Sequence, residues 1–324
     1  MIRLKSLELP EVIQSPMANC TDLPFRLIAR KQGMRFAFLE MIAAETLVRD
    51  HPGTYERMET SAADKPCGAQ LVGCNPVSMG KAAAKIEQMG FASVDINLGC
   101  PVPKVTGNGG GSQLLREPET AAEIFKAVVN SVKTIPVTVK MRLGYADGTG
   151  AEAVRIARLA EAAGVDAISV HGRTRAQGYS GSADYEAIRR VKESVKIPVF
   201  GNGDVFDGAS AIRLKQVSGC DGVLLGRGAL GNPWIYREVE AALEGRPIPP
   251  RPTMEERKRI LLEHIDLQCQ YKEFPIGPLR RVICWYSRDM QGSPAFRAAI
   301  NAAQTVDEMK RLIEPMFSPV PVPA

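Results

Sequence analysis

A cysteine stands where an apolar run ends, in the segment NLGCPVPKVTGNGGGSQLL. Cys100 follows the run SVDINL and precedes the glycine-rich residues 107–111. These glycines form either a simple turn or, the interpretation we slightly prefer, the hinges of a mobile loop that carries Cys100 over a substrate. A thiol with a pKa of about 8.5 is mostly protonated at pH 7 and can act as a general acid. No histidine is adjacent in sequence to support a thiolate nucleophile. We therefore predict that Cys100 is a proton donor.

Polar side chains interrupt several other apolar runs. Lys140 lies within VTVKM, and a lysine directed into a protein interior costs several kcal/mol unless an anion or ligand receives it. His171 ends the run SVH two residues before Arg173, a position that favours a ligand role over a simple buried histidine. Gln70 fits a hydrogen bond to neighbouring backbone as well as it fits a ligand. These residues together predict a binding site.

Two glycine-containing segments, GNGD at 201–204 and GRGA at 226–229, predict a phosphate site. Glycine lets backbone approach a ligand closely, and backbone N–H groups near a helix N-terminus bind phosphate. A phosphate site facing Lys140, His171 and Gln70 suits a phosphorylated planar cofactor, and FMN is the simplest candidate. A cation near N1 and C2=O of a flavin stabilises its reduced anion, and we predict Lys140 for that role. Flavin hydride and the Cys100 proton would together reduce an activated C=C bond.

The elements that must position these residues are repeated βα units, because short β-rich apolar runs alternate with helical stretches from residue 11 to about residue 245. Eight such runs predict a closed (β/α)8 TIM barrel, with strands at 11–18, 36–42, 67–73, 93–100, 136–144, 167–174, 198–205 and 222–229. Chemistry in such barrels collects at the carboxyl ends of the strands. Here those ends carry Met17, Glu40, Gln70, Asn97 with Cys100, Lys140 with Arg142, His171 with Arg173, Asn202 with Asp204, and Arg227. A Rossmann-type sheet ranks below the barrel, since no glycine fingerprint follows the first run.

Helix signals and a proline-rich segment complete the expected organisation. Helices are expected to start at Asp22 and Asn75, each just before a proline, and to stop at Gly33, Gly90 and Gly164. The run RPIPPRP at 246–252 cannot continue a helix and predicts a linker. We therefore expect two domains, a cofactor-binding barrel at residues 1–245 and a small C-terminal helical bundle at 246–324.

Composition sets broad limits on the class of protein. The chain has 324 residues, 45% of them hydrophobic, a formal net charge of +5 and seven cysteines with no C-x-x-C pair. These values permit a large core and a polyanionic partner, and they give no signature of a zinc or dithiol site. No stretch approaches the roughly 20 apolar residues that span a bilayer, and the N-terminus lacks an apolar signal region. We expect a reduced, cytoplasmic monomer without metal.

The motifs SPMANCTDLPFR, DINLGCPVPKV, VKMRLG, VHGRT, GNGDV and GRGALGNPW resemble those of the tRNA-dihydrouridine synthases, most closely the broad bacterial branch. The resemblance covers Pro16 to Trp234 and continues through LRRVICWYSRDMQGSPAFR into a region that resembles the family's tRNA-binding domain. It implies that the following residues contact FMN: Pro16, Met17, Ala18, Gln70, Lys140, His171, Asn202, Gly203, Asp204, Gly226 and Arg227. It also implies that Cys100 is the proton donor and that the uracil pocket is lined by Asn97, Arg142 and Arg173.

In the mechanism that this resemblance implies, NADPH reduces FMN and leaves, and hydride then passes from flavin N5 to C6 of a tRNA uridine while Cys100 protonates C5. No dinucleotide-binding fingerprint is present in the chain, which fits a donor that binds transiently over the flavin. The uridine that is modified is not encoded in a motif, because site choice depends on surface residues spread over the protein.

The C-terminal region has 12 Lys and Arg against 9 Asp and Glu over residues 246–324, an excess too small to establish a nucleic-acid surface. Arg280, Arg281 and Arg288 lie within three turns of a predicted helix beside Trp285 and Tyr286. Such a group offers phosphate contacts next to aromatic surface, although solvated arginines around an aromatic core explain the sequence slightly better on its own. The family resemblance favours tRNA, with Arg280 and Arg288 as contacts.

Two alternatives remain. Another FMN barrel, of the dihydroorotate dehydrogenase type, would share the cofactor site and act on a small free pyrimidine, and the helical appendage argues against it. A non-enzymatic RNA-binding or folding protein with a vestigial barrel would be colourless and indifferent to Cys100→Ala. The presence of Lys140, His171 and the GRG turn together argues against this second alternative.

Overall fold

The chain forms a parallel β-barrel surrounded by helices and followed by four further helices, in a computed structural model that describes residues 1–318. The strands are β1 Ile2–Leu4, β2 Leu7–Leu9, β3 Val12–Gln14, β4 Ala37–Phe38, β5 Ile42–Ala43, β6 Cys67–Val72, β7 Ser93–Leu98, β8 Val137–Arg142, β9 Ala167–His171, β10 Val199–Asn202 and β11 Gly222–Leu225. The α-helices are α1 Leu23–Lys31, α2 Ala44–Val48, α3 Pro52–Arg57, α4 Pro76–Gln88, α5 Pro103–Thr106, α6 Pro118–Ser131, α7 Ala151–Ala162, α8 Tyr185–Ser194, α9 Gly208–Ser218, α10 Ile235–Leu243, α11 Met254–Tyr271, α12 Ile276–Tyr286, α13 Ser293–Ala302 and α14 Val306–Met316. Short 3-10 helices cover Ala62–Asp64, Gly111–Arg116 and Arg227–Ala229.

The barrel is closed, as the sequence predicts. Its strands run in the order β4, β3, β11, β10, β9, β8, β7, β6, β5, all neighbours are parallel, and β4 also pairs with β6. Strands β4 and β5 together occupy the second of the eight strand positions, so the single strand expected at 36–42 is interrupted. At the interruption, Glu40 accepts hydrogen bonds from the N–H groups of Asn19 and Cys20. The other strands fall within their expected ranges and end earlier, because the last residues of each range belong to the loops that form the site.

An N-terminal hairpin closes the other end of the barrel, and the sequence analysis does not anticipate it. Strands β1 and β2 pair antiparallel, and their inward residues Leu4, Leu7 and Leu9 are buried. They join Phe36, Phe38, Phe200 and other barrel-interior side chains in one apolar cluster. Strands of three residues carry too short an alternation to be detected from a sequence.

Helix ends follow the predicted signals. Asp22 accepts a hydrogen bond from Phe25 N at the start of α1, and Asn75 does the same with Ser78 N at the start of α4. The glycines expected as stops, Gly33, Gly90 and Gly164, all have positive φ. The chain therefore passes from strand to helix and back at the expected residues, and this fixes which side chains reach the mouth of the barrel.

The C-terminal helices α11–α14 pack around their own apolar cluster, which also takes in Ile28 and Trp234 from the barrel. Residues 246–253 before them have no regular secondary structure, as the prolines predict. Contact with the barrel is close: Gly231 has a φ of +73°, and a Cβ there would lie 2.3 Å from the carbonyl oxygen of Trp285. Within residues 1–318, no helix combines the length and apolar character needed to cross a membrane.

Candidate active site

The carboxyl ends of the barrel strands surround a cavity of about 440 Å³. Strand register brings polar residues to one level, because Asn97 is opposite Lys140, and His171 is opposite both Arg142 and Asn202. The cavity wall contains Cys100, Asn97 and Arg142. It also contains all eleven residues assigned to the cofactor: Pro16, Met17, Ala18, Gln70, Lys140, His171, Asn202, Gly203, Asp204, Gly226 and Arg227.

Lys140 presents an ammonium group to this cavity without a protein partner. Its neighbours on β8 are buried, and no carboxylate or carbonyl of residues 1–318 lies within hydrogen-bonding distance of Nζ. Burial, and then the nearby Arg142, lower the pKa of Lys140 to about 8, so the group is still protonated at pH 7. A buried cation without a counter-ion is costly, and a bound anion or ring carbonyl would remove that cost.

The loops after β10 and β11 offer backbone donors at the opposite end of the cavity. Gly203 and Asp204 have φ values of +131° and +51°. The N–H groups of Asp204, Val205 and Gly226 donate to no acceptor within the described chain. Free N–H groups in such turns form concave anion sites. The residues present therefore fit the phosphate end of a mononucleotide cofactor, with Lys140 at its ring end.

Arg173 lies beside the loop after β10 and does not line the cavity. Its side chain is 2% exposed and donates to both carboxylate oxygens of Asp204, at 2.9 and 2.7 Å. It also donates to the carbonyls of Ser180 and Gly181. Because these bonds engage the guanidinium on all sides, the expected contact between Arg173 and the uracil ring is not what the structure shows. Its observed position supports Asp204 and the loop after β10.

A chain of hydrogen bonds connects a buried carboxylate to the Cys100 loop. Asp95 accepts from Thr138 Oγ1 and from Gln70 Nε2, both at 2.6 Å. Gln70 Oε1 accepts from Asn97 Nδ2 at 2.7 Å, and Asn97 Oδ1 accepts from the N–H of Gly99 and of Cys100 at 3.0 and 2.9 Å. Burial raises the pKa of Asp95 to about 6, so the carboxylate is ionised at pH 7 and can only accept. It thereby sets the orientation of both amides.

Cys100 sits in the cavity wall as a buried thiol. Burial raises its pKa, while the N–H of Val102 and the charges of Arg142 and Lys140 act in the opposite direction. Its carbonyl accepts from Ser112 N at 3.0 Å, and a Cβ on Gly111, whose φ is +59°, would lie 2.7 Å from that carbonyl oxygen. The glycine run expected to form hinges thus folds beneath Cys100, where close backbone contact requires a glycine.

An aromatic side chain stands at the mouth of the cavity. Tyr179 is 59% exposed, with the guanidinium of Arg227 at 4.4 Å and that of Arg142 at 5.6 Å from its ring centre. Its ring lies 6.2 Å from the ring of His171. Burial, and then the cationic neighbours, lower the pKa of His171 to about 2, so this imidazole is neutral and one ring nitrogen carries a proton to donate.

The two arginines predicted to contact RNA lie outside this cavity. Arg280 is half-buried and donates to the carbonyl of Ala303 at 2.8 Å. Arg288 is exposed and, like Arg281, lies near enough to the barrel mouth to lower the pKa of Cys20, although burial outweighs both charges and raises that pKa to about 11. Arg288 therefore faces solvent near the mouth, whereas Arg280 is engaged within the helical region.

Two features of the site, a carboxylate behind its wall and an aromatic ring at its mouth, are missing from the sequence-based prediction. Asp95 interrupts the apolar run SVDINL as Lys140 interrupts VTVKM, and the same argument about buried charge would have found it. Tyr179 lies in the loop after β9, and nothing in the sequence of that loop shows that it reaches the mouth.

Comparison with known proteins gives consistent results. The sequence model of the family described as dihydrouridine synthase (Dus) matches residues 13–319. A probable tRNA-dihydrouridine synthase of Rickettsia conorii is 39% identical over 99% of this chain and 97% of its own length. The tRNA-dihydrouridine synthase B of Pseudomonas aeruginosa is 37% identical over 98% of this chain and 96% of its own.

Solved structures show the same barrel at low sequence identity. Histamine dehydrogenase from Rhizobium sp. 4-9 superposes with a TM-score of 0.55 at 15% identity, over 79% of this chain and 48% of that one. A 2-naphthoyl-CoA reductase gives 0.54 at 14% identity, over 73% of this chain and 50% of that one. The chain therefore spans about half the length of these structures, and the likeness concerns the fold alone.

Proposed function

Because the chain belongs to the dihydrouridine synthase family, we propose that it reduces the C5=C6 bond of specific tRNA uridines to 5,6-dihydrouridine, with FMN as its flavin and NADPH as electron donor. The observation that carries this proposal is a protonated thiol and an unpartnered ammonium in the wall of one cavity, Cys100 and Lys140. We place the enzyme in the cytoplasm, acting as a monomer.

FMN would be held along the length of the cavity. The N–H groups of Asp204, Val205 and Gly226 would receive its phosphate together with the Arg227 guanidinium. Lys140 and the neutral His171 would face the polar edge of the ring system, and Pro16, Met17 and Ala18 would cover it. Lys140 there compensates negative charge on the reduced ring, and in doing so gains the partner that the protein does not supply.

The proton comes from Cys100. FMN, when bound and reduced by NADPH, would supply the hydride for C6 of the uracil ring. The Cys100 thiol gives its proton to C5, which leaves a thiolate that regains a proton from solvent before the next turnover. Burial keeps the thiol protonated at pH 7, and Arg142 and Lys140 stabilise the thiolate once it forms. Asn97 and Arg142 line the same part of the wall and would orient the ring. Arg142 would do so through Nη2, since Nε and Nη1 already donate to backbone carbonyls.

Asp95→Asn tests the hydrogen-bonded chain behind Cys100. An amide offers one oxygen where the carboxylate offers two, so Thr138 and Gln70 can no longer both donate to residue 95. Wherever the new N–H group faces Gln70, both Gln70 and Asn97 turn over and the Cys100 N–H faces another donor. A lost hydrogen bond of about 1–3 kcal/mol predicts a 10- to 100-fold slower formation of dihydrouridine. Because Gln70 is also assigned to FMN, flavin content and the rate of flavin reduction by NADPH are followed separately by absorbance, and each should change much less than product formation.

Thr138→Val is the matched control for Asp95→Asn. It removes the other hydrogen bond to the carboxylate but leaves an acceptor facing Gln70. It should therefore retain most of the product-forming rate. An equal loss of rate in the two variants would show that the number of hydrogen bonds to the buried residue 95 matters and that the orientation of the Gln70 and Asn97 amides does not.

We place tRNA on the C-terminal helical region, residues 246–324, as the family resemblance implies. Replacing Arg280 and Arg288 by Ala together should weaken tRNA binding and reduce the slope of log K against log salt by about one for each lost phosphate contact. Because Arg280 already donates to Ala303, Arg288→Ala alone should account for most of that change. Fluorescence anisotropy at several salt concentrations measures the slope.

The salt experiment has a control in Lys310→Ala, whose ammonium is paired with Asp266 at 2.8 Å. This variant should keep the wild-type slope. A double arginine variant with an unaltered slope would assign Arg280 and Arg288 to structure and move the RNA to another surface.

The proposed function as a whole is tested by incubating the purified protein with NADPH and tRNA from cells that lack dihydrouridine. Nuclease digestion and mass spectrometry then quantify dihydrouridine and locate it in the tRNA. A flavin spectrum with new dihydrouridine would support the proposal. A flavin spectrum without product, with activity on free orotate or uracil, would indicate the dihydroorotate dehydrogenase type, and a colourless protein would contradict the cofactor assignment.

A further inference from the structure

A second pocket, of about 510 Å³, lies beside the active-site cavity, between the loops after β10 and β11, the linker and helix α12. Four residues line both cavities: Phe206, Arg227, Gly228 and Leu230. The two spaces therefore adjoin, and a ligand with one end in the active site can place its other end here. The volume falls within the roughly 300–1,000 Å³ of small-molecule sites.

The wall of the second pocket is cationic. Five arginines line it against three acidic residues, Asp207, Glu238 and Asp289. Asp207 caps helix α9, and Glu238 accepts from Gly208 N at 3.0 Å, so two of the three carboxylates are engaged in structure. Arg251 and Arg288 are exposed, and within residues 1–318 neither has an ion pair or a side-chain hydrogen bond. Both guanidinium groups are available to an anionic ligand.

Rigid and flat surfaces complete the pocket. The Phe206 ring is 50% exposed, and Trp285 and the linker prolines form further wall. Arg251 stands between Pro250 and Pro252, whose fixed φ angles limit the backbone freedom on both sides of it. Holding this guanidinium in place therefore costs less conformational entropy than at a flexible surface position. Planar side chains beside arginines suit a purine ring next to a phosphate.

We propose that this second pocket binds the 2′-phosphoadenosine end of NADPH, with Arg251 and Arg288 on the 2′-phosphate. The inference rests on the proposed function, which places the nicotinamide end of NADPH over the flavin in the adjoining cavity. Arginine is the residue that accommodates a 2′-phosphate at dinucleotide sites of other folds. NADH lacks that phosphate, so the pocket makes the enzyme selective for NADPH.

The test is the rate of anaerobic flavin reduction without RNA, measured by stopped-flow absorbance with NADPH and, separately, with NADH. The wild type should reach half its maximal rate at a lower concentration of NADPH than of NADH. Arg251→Ala should raise the NADPH concentration for half-maximal rate by roughly 10-fold or more, the effect of losing a charged hydrogen bond. The NADH value and both maximal rates should stay unchanged. Adenosine 2′,5′-bisphosphate should compete with NADPH in the wild type and much less in Arg251→Ala. Adenosine 5′-monophosphate, which lacks the 2′-phosphate, should compete only weakly with NADPH in both proteins.

Arg246→Ala is the control, because Arg246 is an exposed arginine of the same linker that pairs with Glu244 and does not line the pocket. It should behave as the wild type. Equal losses for NADPH and NADH in Arg251→Ala, or no loss at all, would overturn the inference and leave the proposed function intact. So would a loss confined to tRNA affinity, which would assign the pocket to RNA. A wild-type flavin that NADPH does not reduce would contradict the proposed function itself, before any variant is made.

Discussion

Cys100→Ala should keep its flavin and oxidise NADPH at the wild-type rate while forming dihydrouridine about 100-fold more slowly or worse, since a positioned general acid contributes roughly 10²–10⁴-fold. The variant removes the only thiol placed at the end of β7, and no other acid of the described chain occupies that position. The measurement is a single turnover, in which prereduced enzyme is mixed with tRNA, quenched at intervals and analysed for dihydrouridine. Unchanged product formation would remove Cys100 from the mechanism.

Cys269→Ala provides the control for this experiment, because Cys269 is exposed on α11 and lies outside the cavity. It should match the wild type in every assay. The pH profile gives a second measure of the same role. A proton donor works in its protonated form, and burial raises the pKa of Cys100. The rate of product formation should therefore stay constant up to about pH 8.5, the ordinary pKa of a free thiol, and fall only at higher pH. If the rate of product formation already falls below pH 7 as the pH is raised, Cys100 is a thiolate at neutral pH, which contradicts its role as proton donor.

Lys140→Met should have opposite effects on stability and on activity. The substitution removes a partly buried cation that has no partner in the described protein, so the flavin-free protein should unfold at a higher temperature than the wild type. The same change takes away the charge expected beside the reduced flavin, so flavin binding should weaken and reduction by NADPH should slow by about 100-fold, the equivalent of roughly 3 kcal/mol. Thermal unfolding of the flavin-free protein and stopped-flow reduction of the reconstituted protein measure the two effects.

Lys215→Met is the matched control for Lys140→Met, since Lys215 is a partly buried lysine that does have a carboxylate partner, Glu11 at 2.5 Å. It should not gain stability and should not change flavin reduction. If Lys140→Met lowers the unfolding temperature of the flavin-free protein, Lys140 contributes to the fold through contacts of its alkyl chain, and the charge argument for its ligand role is contradicted.

The barrel was predictable because each strand carries its own local signal. A buried parallel strand reads as a short apolar run, and the polar residue that ends it marks the mouth, so the register that aligns Asn97 with Lys140 and His171 with Asn202 follows from the fold class. The residues predicted to hold the cofactor line one cavity for the same reason. Lys140 was the most informative residue, since its charge conflicts with the apolar run around it.

Other parts of the site depend on contacts between distant segments, which no local pattern encodes. The orientation of Asn97 is set by Gln70 and Asp95, and this bond pattern appears only when β6 and β7 lie side by side. The family resemblance placed Arg173 at the uracil ring, yet Asp204 from the next loop engages its guanidinium. The place of Arg280 likewise depends on a carbonyl of another helix.

The contact between Gly231 and Trp285 bears on how the enzyme would choose a uridine. A side chain at residue 231 would collide with the backbone of α12, so the barrel and the C-terminal helices pack together closely at this point. For an RNA bound to those helices, the distance from its contacts there to Cys100 would then correspond to a fixed number of nucleotides. Enzymes with the same packing at this point that act on different uridines would then have to differ in where along these helices the RNA is held.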